Sequence, residues 1–182
     1  MVVLNILFAS IYIITGKFSL SLATVHVSAS PVWPPTGIVL VAFMTFGYRI
    51  WPGVFLGAYI VNLTTAGNEI TSLFIAGGNT LEGIIGAYLV GKYSGGQRVL
   101  DQPVGVFNFT ILAAMVSTIV SPTIGVTSLA LGGFARWEDL ISIWYTWWLG
   151  DAAGNLIVAP LLLVWILNPR IVWSRRQFIE AI

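Results

Sequence analysis

From Val2 to Gly16 the chain reads VVLNILFASIYIITG, and apolar runs of this kind recur along it as far as Leu167. Runs of about 20 apolar residues reach the thickness of a hydrocarbon core, so the chain is expected to cross a membrane several times. Only 8% of its 182 residues are charged and 57% are hydrophobic, against about 25% charged in an ordinary soluble domain. Inside lipid every backbone polar group must bond within the protein, which leaves helices or a closed barrel. The runs lack period-two alternation, so the expected fold is an all-α polytopic transmembrane bundle.

Six spans are read. They run from Val2 to about Thr24, Thr36 to Tyr48, Ile50 to Thr64, Ile70 to Gly91, Val104 to about Leu131 and Asp139 to Leu167. The fifth is expected to break near SPT, at Ser121 to Thr123. With both termini cytoplasmic, Arg49, Lys92, Arg98, Arg170, Arg175 and Arg176 fall inside and only Arg136 outside. That is the bias expected of a cytoplasmic face. Splitting the fifth and sixth spans into paired half-helices would give eight segments, which stays open as an alternative. Trp137, Trp144, Trp147 and Trp148 cluster near the outer edge, and Trp165 and Trp173 near the inner one, as interfacial anchors do. Residues 1–167 therefore read as one membrane domain. Residues 168–182 turn basic and amphipathic, as a juxtamembrane segment leading to a cytoplasmic output domain beyond this chain would.

Several function classes find no support. The chain has no cysteine and one histidine, His26, so neither a thiolate nor a histidine-rich metal site is expected. Eight basic residues spread along the whole chain make no nucleic-acid patch. No nucleophile-elbow, zincin or phosphate-loop motif occurs, and neither catalysis nor a cofactor is expected. Ser21 and Ala23 mimic a signal-peptide cleavage site. No basic residue precedes the apolar run, however, and Lys17 follows it, so a retained first span is expected.

The second span is fenced unusually. Pro31, Pro34 and Pro35 flank Trp33 before it, and Trp51, Pro52 and Gly53 follow it. Proline fixes its own φ and biases the preceding residue away from helix, so SPVWPPT is expected to be a stiff, extended connector. Thr36 would then cap a helix too short to cross the bilayer, and Pro52 would open the third span. The connector is expected to fold down above the short helix and shape a funnel on the outer face. A tight loop around a tilted helix would also satisfy these residues.

Ionisable groups inside a span cost about 2.5–3.5 kcal/mol each on insertion scales, which singles out Lys17, Glu82 and Asp151. Counted at 1.5 Å per residue from the outer ends of their spans, Glu82 and Asp151 both lie about 18 Å deep. Asn79 stands three residues before Glu82, and Asn155 four after Asp151, so each acid shares a helix face with an amide. Glycines surround both pairs and permit close helix approach. Asn62 is expected to join the same centre. Lys17, Trp33, Asn62, Asn79, Glu82, Asp151 and Asn155 are thus the candidate site. It would open outward beneath the Pro-Trp loop and suit a small cationic or proton-linked ligand. Plain interhelical glue is the competing reading of the same residues.

Four motifs follow one another in order: ASPVWPPTG from Ala29, GYRIWPGVFLGAYIVNL from Gly47, GNTLEGIIGAYL from Gly78 and WWLGDAAGNLIVAPLLL from Trp147. Together they resemble the MASE domain of the first type, the membrane-associated sensor of bacterial signalling proteins. The resemblance covers nearly the whole hydrophobic part of the chain. It implies a sensory input in the bacterial inner membrane, attached to a histidine kinase or a cyclic di-GMP enzyme such as a diguanylate cyclase. It further implies eight membrane segments and, for the full-length protein, a homodimer. The expected partners are membrane lipids and an unknown small ligand or membrane protein. A small-molecule transporter, or the substrate-binding component of one, is the alternative.

Overall fold

The computed structural model describes residues 1–65 and 68–167; the expected juxtamembrane segment, residues 168–182, lies outside the described residues. The described residues form helices and connecting turns, with one isolated bridge between His26 and Ala29 and no strand. The helices are α1 (Val2–Leu20), α2 (Pro34–Phe46), α3 (Trp51–Leu63), α4 (Glu69–Tyr93), α5 (Pro103–Leu131) and α6 (Trp137–Ile166). Of the six expected spans, four have spanning length: α1, α4, α5 and α6, with 19, 25, 29 and 30 residues. The other two, α2 and α3, have 13 residues each. At 1.5 Å per residue that is about 20 Å, short of a hydrocarbon core of about 30 Å.

Burial is inverted relative to a soluble protein. Ile6, Ile14, Phe18, Phe74, Phe107, Ile141 and Ile157 face outward, while Asn79, Glu82, Asp151 and Asn155 are buried. α2 lies at the centre, with Val39 to Phe43 all buried between α4 and α6. α1 and α3 run side by side in the same direction. The Gly53 N–H donates to Asn5 Oδ1 at 2.7 Å, Gly57 lies against Ala9 and Tyr12, and Val61 lies against Gly16. Gly53 and Gly57 are four apart, the small-residue spacing that brings helix backbones together.

Two expectations about helix boundaries need correction. α2 begins at Pro34 with Trp33 in the cap position, and the Thr36 hydroxyl leaves the backbone for a carboxylate. α1 stops at Leu20 rather than Thr24, where the Ser21 N–H turns back to the Lys17 and Phe18 carbonyls. Pro52 does sit in the first turn of α3.

Both long helices after α4 are interrupted. α5 opens into wide π-type turns over Thr110–Val116, tightens over Ser117–Ile119, and resumes as α-helix at Val120. α6 opens over Gly154–Val158 and resumes at Ala159. A proline follows each interruption, Pro122 and Pro160. A proline ring clashes with the carbonyl four residues back, and a change of pitch upstream relieves that clash. The break in α5 therefore begins before SPT, because Pro122 occupies the first turn of the resumed helix, where its missing N–H costs nothing.

Three of the four tryptophans expected at the outer edge do more than anchor. Trp147 is buried against Gly125 of α5. Trp144 Nε1 donates to Thr123 Oγ1 at 3.1 Å, and Trp148 Nε1 donates to the Met115 carbonyl in the wide turns of α5 at 3.2 Å.

Candidate functional site

The connector before α2 dips into the bundle instead of passing over it. The Trp33 N–H donates to the Gly150 carbonyl at 3.0 Å. The Ser30 and Trp33 carbonyls lie so close to Gly150 and Gly154 that a methyl group at either glycine would meet them. Only residues without Cβ permit backbone to lie on backbone in this way. Trp33 itself is 6% exposed and meets Tyr12 edge-on, with ring centroids 6.2 Å apart. The space above α2, expected to be a funnel, is thus filled by the connector.

Beneath it the two acids come together. Asp151 is fully buried and Glu82 is 2% exposed. Thr36 Oγ1 donates to Asp151 Oδ1 at 2.6 Å and also faces the Glu82 carboxyl. The Ser121 N–H, in the first turn of the resumed helix of α5, donates to Glu82 Oε2 at 3.3 Å. Ser121 Oγ donates to Asn79 Oδ1 at 2.9 Å, and Asn79 Nδ2 returns to the Ile75 carbonyl of its own helix. Asn155 Nδ2 donates to the Ala113 carbonyl at 2.6 Å, so the wide turn of α6 is tied to that of α5. Helix interruption frees backbone groups, and in lipid those groups need internal partners. Here the side chains of Glu82 and Asn155 supply them.

Several polar atoms in this centre have no hydrogen-bond partner among the described residues: Asp151 Oδ2, Asn155 Oδ1, Trp33 Nε1 and the Tyr12 hydroxyl. Among the described residues neither Glu82 nor Asp151 forms an ion pair. Keeping two carboxylates charged and buried without a basic partner among the described residues is costly, and a proton or a small cation would offset that cost.

Trp33, Asn79, Glu82, Asp151 and Asn155 therefore meet as the sequence suggests, whereas Lys17 and Asn62 bond elsewhere. Lys17 Nζ donates to the Val61 and Thr64 carbonyls at 3.1 and 2.9 Å and to Thr65 Oγ1 at 2.9 Å, closing the C-terminal end of α3. Asn62 Nδ2 donates to the Ala58 carbonyl of its own helix. Thr36, Ser121 and Tyr12 belong to the centre but escape a search confined to residues that are charged at neutral pH. For Ser121 a signal does exist, since it precedes a proline that interrupts the backbone ladder of a buried helix.

A helical membrane bundle with a sealed, carboxyl-bearing polar core is the class these observations define. The family model for MASE1 matches residues 2–181, nearly the whole chain. The chain belongs to the MASE1 family of membrane sensor domains, which are sensory inputs rather than catalytic units. It is similar to the probable diguanylate cyclase DgcE of Escherichia coli (strain K12), with 28% identity over 158 residues. That match takes in 81% of this chain but only 13% of the cyclase. No solved structure matches the chain.

Proposed function

We propose that this chain is the input module of a larger signalling protein of the bacterial inner membrane, with a diguanylate cyclase or histidine kinase as its output. In this reading the chain crosses the membrane six times, both termini are cytoplasmic, the output works as a homodimer, and residues 168–182 connect the domain to it. The input is a ligand or membrane partner acting from the outer side or within the bilayer, and the Glu82–Asp151 centre is the element it biases. One observation carries the proposal. The Thr36–Asp151 hydrogen bond lies one turn before the wide turn of α6 at Gly154–Val158. A π-type turn is an insertion in helical pitch that can regularise, so a charge change at Asp151 has an adjacent element with two discrete states. α6 would pass that change along its axis toward residue 167. Couplings of this kind amount to about 1–3 kcal/mol, a shift of about 5-fold or more in the balance between two states.

The sealed state of the acids favours a receptor over a transporter, since the connector fills the outer approach. The test uses the full-length signalling protein carrying this domain, with Asp151→Asn and Glu82→Gln compared with wild type across external pH and sodium concentration. Both variants are expected to insert normally, to change cyclic di-GMP or phosphorylation output several-fold, and to flatten its dependence on those cations. Normal insertion with wild-type output under every condition would remove the proposal.

A further inference from the structure

At the opposite end of the bundle, the turn between α4 and α5 builds a second polar feature unconnected with the acids. Gly95 and Gly96 both adopt positive φ, 82° and 63°, and reverse the chain sharply after α4. The turn is pinned from three sides. Val99 is fully buried, Gln97 Nε2 donates to the Met44 carbonyl at 2.9 Å, and Asn108 Nδ2 donates to the Tyr93 carbonyl at 3.0 Å. Between turn and helix lies an open cavity of about 410 Å³, with Ser94, Arg98 and Asp101 on its walls.

Three features of its lining point to a ligand. Ser94 is 5% exposed, and its hydroxyl has no hydrogen-bond partner among the described residues. Arg98 and Asp101 are both exposed, and among the described residues neither forms an ion pair. Val104 and Gly105, in the first turn of the 29-residue α5, also line the cavity, and that turn has no side-chain cap. A guanidinium, a hydroxyl and uncapped amides suit a phosphate. The carboxylate of Asp101 beside them repels an anion and attracts an ammonium. The lining is a dipole.

Tyr93 and Asn108 are shared with a second groove of about 350 Å³, which continues along Phe107, Ile111 and Leu112 on the outer face of α5. A polar chamber leading into an apolar trough on a lipid-facing helix has the shape of a phospholipid: headgroup first, acyl chain after. We propose that this end of the bundle binds a phospholipid of the phosphatidylethanolamine class. Its phosphate would lie on Arg98 and Ser94, its primary ammonium on Asp101, and one acyl chain along Phe107 and Ile111. A primary ammonium donates hydrogen bonds to a carboxylate, which the quaternary ammonium of a choline headgroup does not. The terminal glycerol of phosphatidylglycerol is neutral, so that lipid brings no cation to set against the Asp101 carboxylate.

Native mass spectrometry of the purified chain against phosphatidylethanolamine, phosphatidylcholine and phosphatidylglycerol of matched acyl chains tests this, with thermal unfolding as a check on each variant. The ethanolamine lipid is expected to be retained about tenfold better than either competitor, a difference of about 1.4 kcal/mol. Arg98→Gln should lose that retention, and Asp101→Asn should retain ethanolamine and choline lipids alike. Soluble phosphoethanolamine, which lacks the tail, should not compete. Equal retention of the three lipids, unchanged retention by a folded Arg98→Gln chain, or full competition by soluble phosphoethanolamine would each overturn the proposal.

Discussion

The ammonium of Lys17 ends among three oxygens at the C-terminus of α3, and that geometry decides what its removal does. The last carbonyls of a helix lack intrahelical donors, and at membrane depth no water replaces them. Lys17→Met keeps the aliphatic stem and deletes the donors; the Val61 carbonyl keeps the Thr65 hydroxyl at 2.6 Å, so the loss falls on the Thr64 carbonyl, at a cost of about 1 kcal/mol. The expected outcome is a lower melting temperature in detergent, with output from the full-length protein still responding to Asp151→Asn. A Lys17→Met chain that melts like wild type but loses its response would return Lys17 to the acidic centre. The sequence identifies Glu82 and Asp151 because a charge in an apolar run is conspicuous, and helical spacing then adds Asn79 and Asn155. It could not assign Lys17 to the end of α3, since the contact spans more than forty residues and its acceptors are mostly backbone. Thr36 is hidden for a related reason. A threonine after two prolines at a helix start looks like a cap, and only tertiary packing brings a carboxylate within reach of its hydroxyl.

Among the elements, α2 and its connector depend most on what lies opposite them. The short helix was legible, because prolines on one side and Gly47 on the other bound an apolar run too brief to cross a bilayer. Where its connector goes was not legible, since that is set by Gly150 and Gly154 on a helix more than a hundred residues away. Gly154→Ala tests the fit. Its methyl would collide with the Trp33 carbonyl, which is backbone and cannot swing aside. Overpacking of this kind costs about 1–3 kcal/mol, and here the softer partner is the connector, so it should lift. With no native cysteine, Ser30→Cys gives a silent background for maleimide labelling. Ser30 is 3% exposed, so labelling should be slow alone and several-fold faster with Gly154→Ala. Equal rates would mean that the connector does not lie on α6. The interruptions of α5 and α6 divide similarly. A proline announces each, but how far upstream the helix widens depends on which freed groups find partners, and those partners are Glu82, Asn155 and Trp148.

For the molecule as a whole, the parallel run of α1 and α3 fixes the path of the chain. Two neighbouring helices pointing the same way require a return between them, and α2 makes that return from mid-depth after the connector has descended. Following the helices onward, Arg49, Lys92 and Arg98 gather at the end where α2 and α4 finish. Arg136, paired with Glu138 and Asp139, stands at the other end, where His26 Nε2 donates to the Phe134 carbonyl at 3.0 Å and ties the α1–α2 and α5–α6 loops together. Basic residues concentrate in cytoplasmic loops, so the Arg49 end should face the cytoplasm even though two of the helices are too short to span alone. Single cysteines in the cysteine-free chain read this directly. A membrane-impermeant maleimide should label Trp137→Cys in intact cells, since residue 137 is 65% exposed. It should reach Lys92→Cys only after the membrane is opened. Labelling of both positions in intact cells would break the six-crossing path. The reverse pattern would keep the bundle but turn it over, placing the sealed connector toward the cytoplasm, and an input arriving from outside would then have to enter past Arg49 and the α4–α5 turn.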